Sequence, residues 1–219
     1  MSGNRKVRLA ILGSGRGSNF TAIADACAAG QLAAELAVVL TDVADSGILR
    51  LAHERGIKSQ FIPPGKFRTK LDDEAESAFV EALDETQVDW IVLAGFMRIL
   101  KGEFLRAFPN RVLNIHPSLL PSFPGLEAWT QALEYGVKVT GCTVHIVDQG
   151  VDTGPILGQR TVPVMDDDTP ALLYARIQQA ENLLYPEVLQ ALATGRLVIH
   201  GRRSVAVEEM VSKQNCLEI

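Results

Sequence analysis

Short apolar runs that alternate with helical stretches constrain this chain more than any other feature. Val7–Leu12, Leu36–Thr41, Gln60–Ile62, Trp90–Leu93 and Val112–Ile115 are apolar almost throughout. Between them lie segments of helical character: Asn19 to Ala29, ended by Gly30, and Ser46 to Arg55, closed by Gly56. Leu71 to Thr86 is longer, with Ala75, Ala78, Phe79 and Ala82 at helical spacing. A strand that is apolar on both faces must be covered on both, and helices between successive strands supply that cover. The expected fold is α/β: an open, mostly parallel twisted sheet with helices on both faces, Rossmann-like in its first half.

The second half changes style. A connection rich in Pro117, Pro121, Pro124 and Gly125 leads to a short helix near Trp129 to Tyr135. Strands follow around Cys142 to Val147 and Ile156 to Val164, joined by the loop Asp148 to Pro155, so this part of the sheet is expected to be partly antiparallel. Thr169-Pro170 is a helix cap followed by proline at the first helical position. That helix is expected to run to about Thr194-Gly195, bent or broken at Pro186. No linker, repeat or low-complexity segment divides the chain, so 1–219 reads as one domain.

Composition narrows the class. A hydrophobic share of 47% is too high for a disordered chain. Lys and Arg number 21 against 26 Asp and Glu, and the net charge of −5 argues against a nucleic-acid coat or an anionic-membrane binder. No apolar run approaches the roughly 20 residues that span a bilayer. Met1 to Lys6 leads straight into a strand, without a signal-peptide core. Cys27, Cys142 and Cys216 are odd in number and far apart, which speaks against a disulfide framework. A cytoplasmic enzyme is expected.

Two segments carry chemistry. Gly13-Ser14-Gly15-Arg16-Gly17-Ser18-Asn19 joins the first strand to the first helix. Such a loop lets backbone approach an anion at a helix N-terminus, although a tight turn capped by Ser18 or Asn19 explains it equally simply. It fits neither the dinucleotide fingerprint, since Ser18 stands where a third glycine belongs, nor the P-loop. Leu113-Asn114-Ile115-His116-Pro117 is more informative. Asn114 and His116 share one face of a strand that proline ends, at the carboxyl edge where open sheets bind ligands. Paired polar side chains on a buried strand cost free energy unless satisfied. Asp152 would be a third member, and a carboxylate near His116 is expected to raise its pKa above about 6.5. A charged imidazole beside an amide stabilises an oxyanion, which suits acyl transfer. No Gly-x-Ser-x-Gly nucleophile is present, so a substrate amine would have to attack. Cys142 and His145 point to opposite faces, and no metal is expected. Asp166-Asp167-Asp168 reads as a solvated loop beside a helix start.

These residues bring out a resemblance over Val7 to about His200. Gly15-Arg16-Gly17-Ser18-Asn19, Leu93 to Leu100, Asn114-Ile115-His116-Pro117-Ser118-Leu119-Leu120-Pro121 and Asp152-Thr153-Gly154-Pro155 resemble the phosphoribosylglycinamide formyltransferases, folate-dependent enzymes of purine synthesis. The resemblance implies a formyltransferase-type fold and transfer of the formyl group from 10-formyltetrahydrofolate, a co-substrate, to the amine of glycinamide ribonucleotide. It implies that Gly17, Ser18 and Asn19 hold the ribonucleotide phosphate and that Glu181 contacts the ribonucleotide. Met97, Arg98, Ile99 and Leu100 would line the pterin pocket with Asp148, Gln149, Gly150, Val151 and Asp152, and Lys70 would lie near the benzoyl-glutamate. Asn114 and His116 would stabilise the tetrahedral oxyanion, with Asp152 holding and charging His116. Small-molecule substrates, no nucleic acid, no membrane, and a monomer or homodimer follow from it. Where relatives often place histidines, this chain has Glu127 and Trp129, and its tail beyond Gly201 matches nothing.

Three rivals remain. A formyltetrahydrofolate hydrolase would share Asn114, His116 and Asp152 but use water, and usually carries a further N-terminal domain. A methionyl-tRNA formyltransferase would need an RNA-binding domain after Gly195 and more basic charge. A dinucleotide-binding module would use Gly13 and Gly15 with Asp42 as the ribose-binding acid, leaving Asn114, His116 and Asp152 unexplained.

Overall fold

β1 (Val7–Leu12) shows why the sheet is covered twice. Leu9 and Ile11 face one side, and Ala10 and Leu12 the other, because successive strand residues alternate. On the first side they meet α1 (Ser18–Ala28), α2 (Gly47–Glu54) and α6 (Pro170–Ala193) through Phe20, Ile23, Ile48, Leu173, Ile177 and Tyr185. On the second they meet α3 (Asp73–Asp84) and α4 (Gly102–Ala107) through Phe79, Leu83 and Phe104. Each such phenylalanine, fully withdrawn from water, contributes about 2–3 kcal/mol.

The computed structural model describes residues 5–207; residues 1–4 and 208–219, including Cys216, lie outside the described part. The other strands are β2 (Ala34–Thr41), β3 (Ser59–Phe61), β4 (Trp90–Leu93), β5 (Val112–His116), β6 (Val139–Ile146), β7 (Ile156–Pro163), β8 (Leu197–His200) and β9 (Arg203–Ala206), and the remaining helix is α5 (Ala128–Tyr135). All pair in one sheet ordered β3-β2-β1-β4-β5-β6-β7-β9-β8. From β3 to β5 the pairing is parallel; β6 runs antiparallel to both β5 and β7. The expected open, mostly parallel sheet with a partly antiparallel second half is what forms, β7 and β9 pairing in parallel. Strand order reverses between β1 and β4, the position at which open α/β sheets bind ligands beyond the carboxyl ends of their strands.

Several helix starts follow local chemistry. Ser46, Asp72 and Thr169 accept hydrogen bonds from Leu49, Ala75 and Leu172 N–H groups, each at the N-cap. Pro186 does not break α6, which stays one helix through it. The acidic run is more than a solvated loop: Asp168 takes both Arg176 guanidinium nitrogens at 2.8 Å. The α4 helix and the β8–β9 hairpin, which pairs with β7 at Ile156 and Arg203, are structure that periodicity did not predict. No described helix is long and apolar enough to cross a membrane.

Candidate active site

The glycine loop leads into α1 without a side-chain cap. Gly17 is the N-cap at φ 87°, a left-handed conformation that favours glycine, and no side chain bonds the first turn. The simpler turn, capped by Ser18 or Asn19, is therefore not the one adopted: both residues lie inside the helix. Its first N–H groups are open to an anion, consistent with the helix dipole. Buried Asn19 instead donates Nδ2–H to Glu181 Oε2 of α6 at 3.0 Å, while its Oδ1 has no partner. Glu181 is 4% exposed, and burial pushes its carboxyl up to about 7 against the Asn19 hydrogen bond. Gly17, Ser18, Asn19 and Glu181 thus come together across two elements remote in sequence. Tyr174 of α6 stacks on Trp129 of α5 at 4.0 Å, so Trp129 ties two helices together, while Glu127 takes a left-handed N-cap at φ 52°.

Asn114 and His116 lie on one face of β5, as their spacing predicts. Asp152 sits in the β6–β7 loop, where Gly154 is required because a Cβ there would stand 1.8 Å from the Ile146 carbonyl oxygen. Asp152 Oδ2 lies 3.3 Å from His116 Nδ1 and accepts the Gly125 N–H at 2.8 Å. His116 Nε2 is 2.8 Å from the Phe123 carbonyl oxygen.

A fourth member, His145, was not among the expected site residues. It pairs opposite Asn114 in the antiparallel β5–β6 ladder, which puts both on one face. Asn114 Nδ2 is 3.3 Å from His145 Nε2, and Asp152 Oδ1 is 3.6 Å from the same nitrogen. His145 Nδ1 lies 2.9 Å from the Ile146 carbonyl oxygen, so Nδ1 carries the hydrogen and Nε2 accepts from Asn114. The second amide hydrogen of Asn114 remains for another acceptor. Only strand register signals His145, and the sequence by itself does not give it.

The expected elevation of the His116 pKa is corrected by the structure. Burial is the dominant influence and holds it below 6.5; Asp152 and the Phe123 carbonyl favour the charged ring, and His145 opposes it. Burial also raises Asp152, but the neighbouring His145, the Gly125 N–H hydrogen bond and His116 keep its carboxyl below the ordinary value. Burial thus biases His116 toward the neutral ring. Both ring nitrogens nevertheless face acceptors, and only the protonated ring satisfies both, so the pocket is shaped to receive a proton.

The remaining expected residues divide. Met97 and Ile99 are exposed, at 64% and 41%, whereas Leu100 is buried in the core. The Arg98 guanidinium turns inward to Asp42 instead of opening to solvent. Exposed Lys70 pairs with Ile99 as an isolated bridge, its Nζ 4.4 Å over the Phe67 ring. Asp148 Oδ1 accepts from the Gly150 N–H and the Thr153 hydroxyl, which folds the Asp148, Gln149, Gly150, Val151 stretch back on itself, and Gln149 Oε1 accepts weakly from the Gly102 N–H at 3.4 Å. Asp42 is 4% exposed and turned onto Ser14 and Arg98, so it is not presented to a ribose hydroxyl as the dinucleotide reading requires. Among the described residues no group of three or more His, Cys, Asp or Glu could hold a metal.

An open sheet with an amide, two imidazoles and a carboxylate at its carboxyl edge, beside an uncapped helix start, defines the class: a group-transfer enzyme of the α/β type. Residues 7–189 match the model of the formyl transferase family. The chain is 42% identical over 200 residues to the phosphoribosylglycinamide formyltransferase of Mycobacterium tuberculosis, covering 89% of each. It is similar to the solved glycinamide ribonucleotide transformylase 1 of Symbiobacterium toebii, with TM-score 0.88, 47% identity, and 94% and 95% of the two chains covered. It is also 43% identical over 191 residues to the human trifunctional purine biosynthetic protein adenosine-3, 87% of this chain but only 19% of that one, so it spans about a fifth of such relatives. A formyltetrahydrofolate deformylase of Pseudomonas syringae has TM-score 0.84 at 26% identity, with 92% of this chain and 66% of that one covered. The chain belongs to the formyl transferase family, among its phosphoribosylglycinamide formyltransferases.

Proposed function

We propose that this chain transfers the formyl group of 10-formyltetrahydrofolate to the amine of glycinamide ribonucleotide, giving formylglycinamide ribonucleotide and tetrahydrofolate. The observation that carries this reading is the convergence of Asn114 and His116 of β5, His145 of β6 and Asp152 of the β6–β7 loop, with no serine or cysteine nucleophile among them. The ribonucleotide phosphate occupies the amides of Gly17, Ser18 and Asn19, with Glu181 below it. The folate lies along Met97 to Leu100 and the 148–152 loop, with Lys70 toward its glutamate end. The amine attacks the formyl carbon, a C–N bond forms, and the carbonyl electrons move onto oxygen. Asn114 gives its free amide hydrogen to that oxyanion, and its hold on His145 keeps the amide from rotating. Neutral His116 exchanges its Phe123 contact for substrate and takes the ammonium proton, and Asp152 stabilises the imidazolium so formed. The proton then passes to N10 of the folate, the N10–formyl bond breaks, and tetrahydrofolate leaves. The same reading makes 1–219 one formyltransferase domain acting in the cytoplasm on small molecules without a metal.

His116→Ala is expected to lower kcat by at least about 10²-fold while leaving the ribonucleotide Kd within about threefold. Turnover like that of the wild type would remove His116 from the chemistry; equal loss of binding would indicate a disrupted fold.

A further inference from the structure

Asp42 follows β2, is 4% exposed, and belongs to neither substrate loop, yet it joins them. Its Oδ1 accepts from the Ser14 hydroxyl in the glycine loop. Its Oδ2 accepts from Arg98 Nε at 2.6 Å, in the wall after β4. Ser14 Oγ accepts in turn from the Met97 N–H at 2.9 Å. Arg98 Nη1 donates to the carbonyl oxygens of Phe67, at 2.7 Å, and of Arg68. The Ile99 N–H donates to the Thr69 carbonyl oxygen at 2.9 Å, extending the same seam. One buried carboxylate therefore ties three segments, beside a backbone hydrogen bond from the Ser14 N–H to the Gly95 carbonyl oxygen at 3.0 Å. A charge-assisted network with every member satisfied fixes geometry more firmly than neutral pairs do. It also leaves the exposed side chains of Met97 and Ile99 standing on a backbone that is pinned from beneath.

We propose that Asp42 is a positioning residue: through Ser14 and Arg98 it preorganises the Met97–Ile99 backbone for the folate and locks that wall to the ribonucleotide loop. This rests on the assignment of the 97–100 segment to folate. Ser14 and Asp42 then influence folate affinity although neither lies on the folate wall, an effect specific to coupling through this network.

The test is titration of the full chain with tetrahydrofolate, without ribonucleotide, for wild type, Asp42→Asn, Asp42→Ala and Ser14→Ala, with steady-state kinetics on each. Should Asp42→Ala fail to fold, Asp42→Asn and Ser14→Ala carry the comparison. The expected result is a Kd raised about tenfold in Asp42→Asn and Ser14→Ala. The KM for formyl-folate should rise in parallel and kcat stay within about threefold. Unchanged tetrahydrofolate affinity in both variants, or a fall in kcat with KM unmoved, overturns the proposal. A wild type that does not bind tetrahydrofolate overturns the folate assignment itself, and the proposal with it.

Discussion

Glu181 shows how a single side chain can make the protein sensitive to pH. Its carboxyl is buried and titrates near 7 in the folded chain, against 4.5 ordinarily. The folded state therefore binds the proton more tightly than the unfolded state does. The resulting stability is present in full below the ordinary value and is lost as pH rises through about 7. Between about pH 5 and pH 8 this amounts to about 2–3 kcal/mol. Glu181→Gln keeps an acceptor for Asn19 and cannot ionise. Its stability relative to the wild type, read from denaturant unfolding without ligands, should improve by about that amount from pH 5 to pH 8. Parallel profiles for the two proteins would place the titration elsewhere. The shared face of Asn114 and His116 follows from strand geometry, and Asp152 from an irregular glycine-rich loop. The direction of the His116 pKa does not, because it depends on burial, which exceeds the charge of Asp152. His145 is invisible for a related reason: it joins Asn114 through an antiparallel register 31 residues away in the chain.

At the scale of elements, the β8–β9 hairpin has the clearest consequence. Arg202 Nη2 donates to the Thr153 carbonyl oxygen at 2.8 Å, and the Ser204 hydroxyl donates to that of Ile156 at 2.9 Å. These two bonds brace the chain on the C-terminal side of Asp152. Arg202→Ala is expected to lower kcat about three- to tenfold, through a looser Asp152, with the ribonucleotide KM nearly unchanged. Kinetics identical to those of the wild type would show that the loop holds its shape without the hairpin. The hairpin escapes sequence reading because it is a half-buried edge ribbon of two four-residue strands, whose apolar stretch Leu197-Val198-Ile199 is short and stands beside the polar Arg203-Ser204. The six-residue α4 helix is too short for helical periodicity to register. The fully buried central strands, by contrast, announce themselves: Trp90–Leu93 is legible residue for residue. Pro186, expected to bend or break the last helix, is tolerated within α6, whose buried face of Ile177, Leu184, Tyr185 and Leu189 holds it against the sheet. Tertiary packing there outweighs a local preference.

Across the whole molecule, the sheet's order decides where chemistry can happen. The reversal between β1 and β4 sets the glycine loop and the 97–100 segment side by side, and the switch to antiparallel pairing at β6 returns His145 and the Asp152 loop to the end of β5. The same arrangement would serve an enzyme that hands the formyl group to water, so the fold leaves the acceptor to be decided by what occupies the Gly17–Glu181 site. Tetrahydrofolate release from 10-formyltetrahydrofolate at neutral pH, with and without glycinamide ribonucleotide, measures that directly. Release that requires the ribonucleotide and matches the formylated ribonucleotide mole for mole is expected. Release at the same rate without it would make water the acceptor and overturn the transferase function.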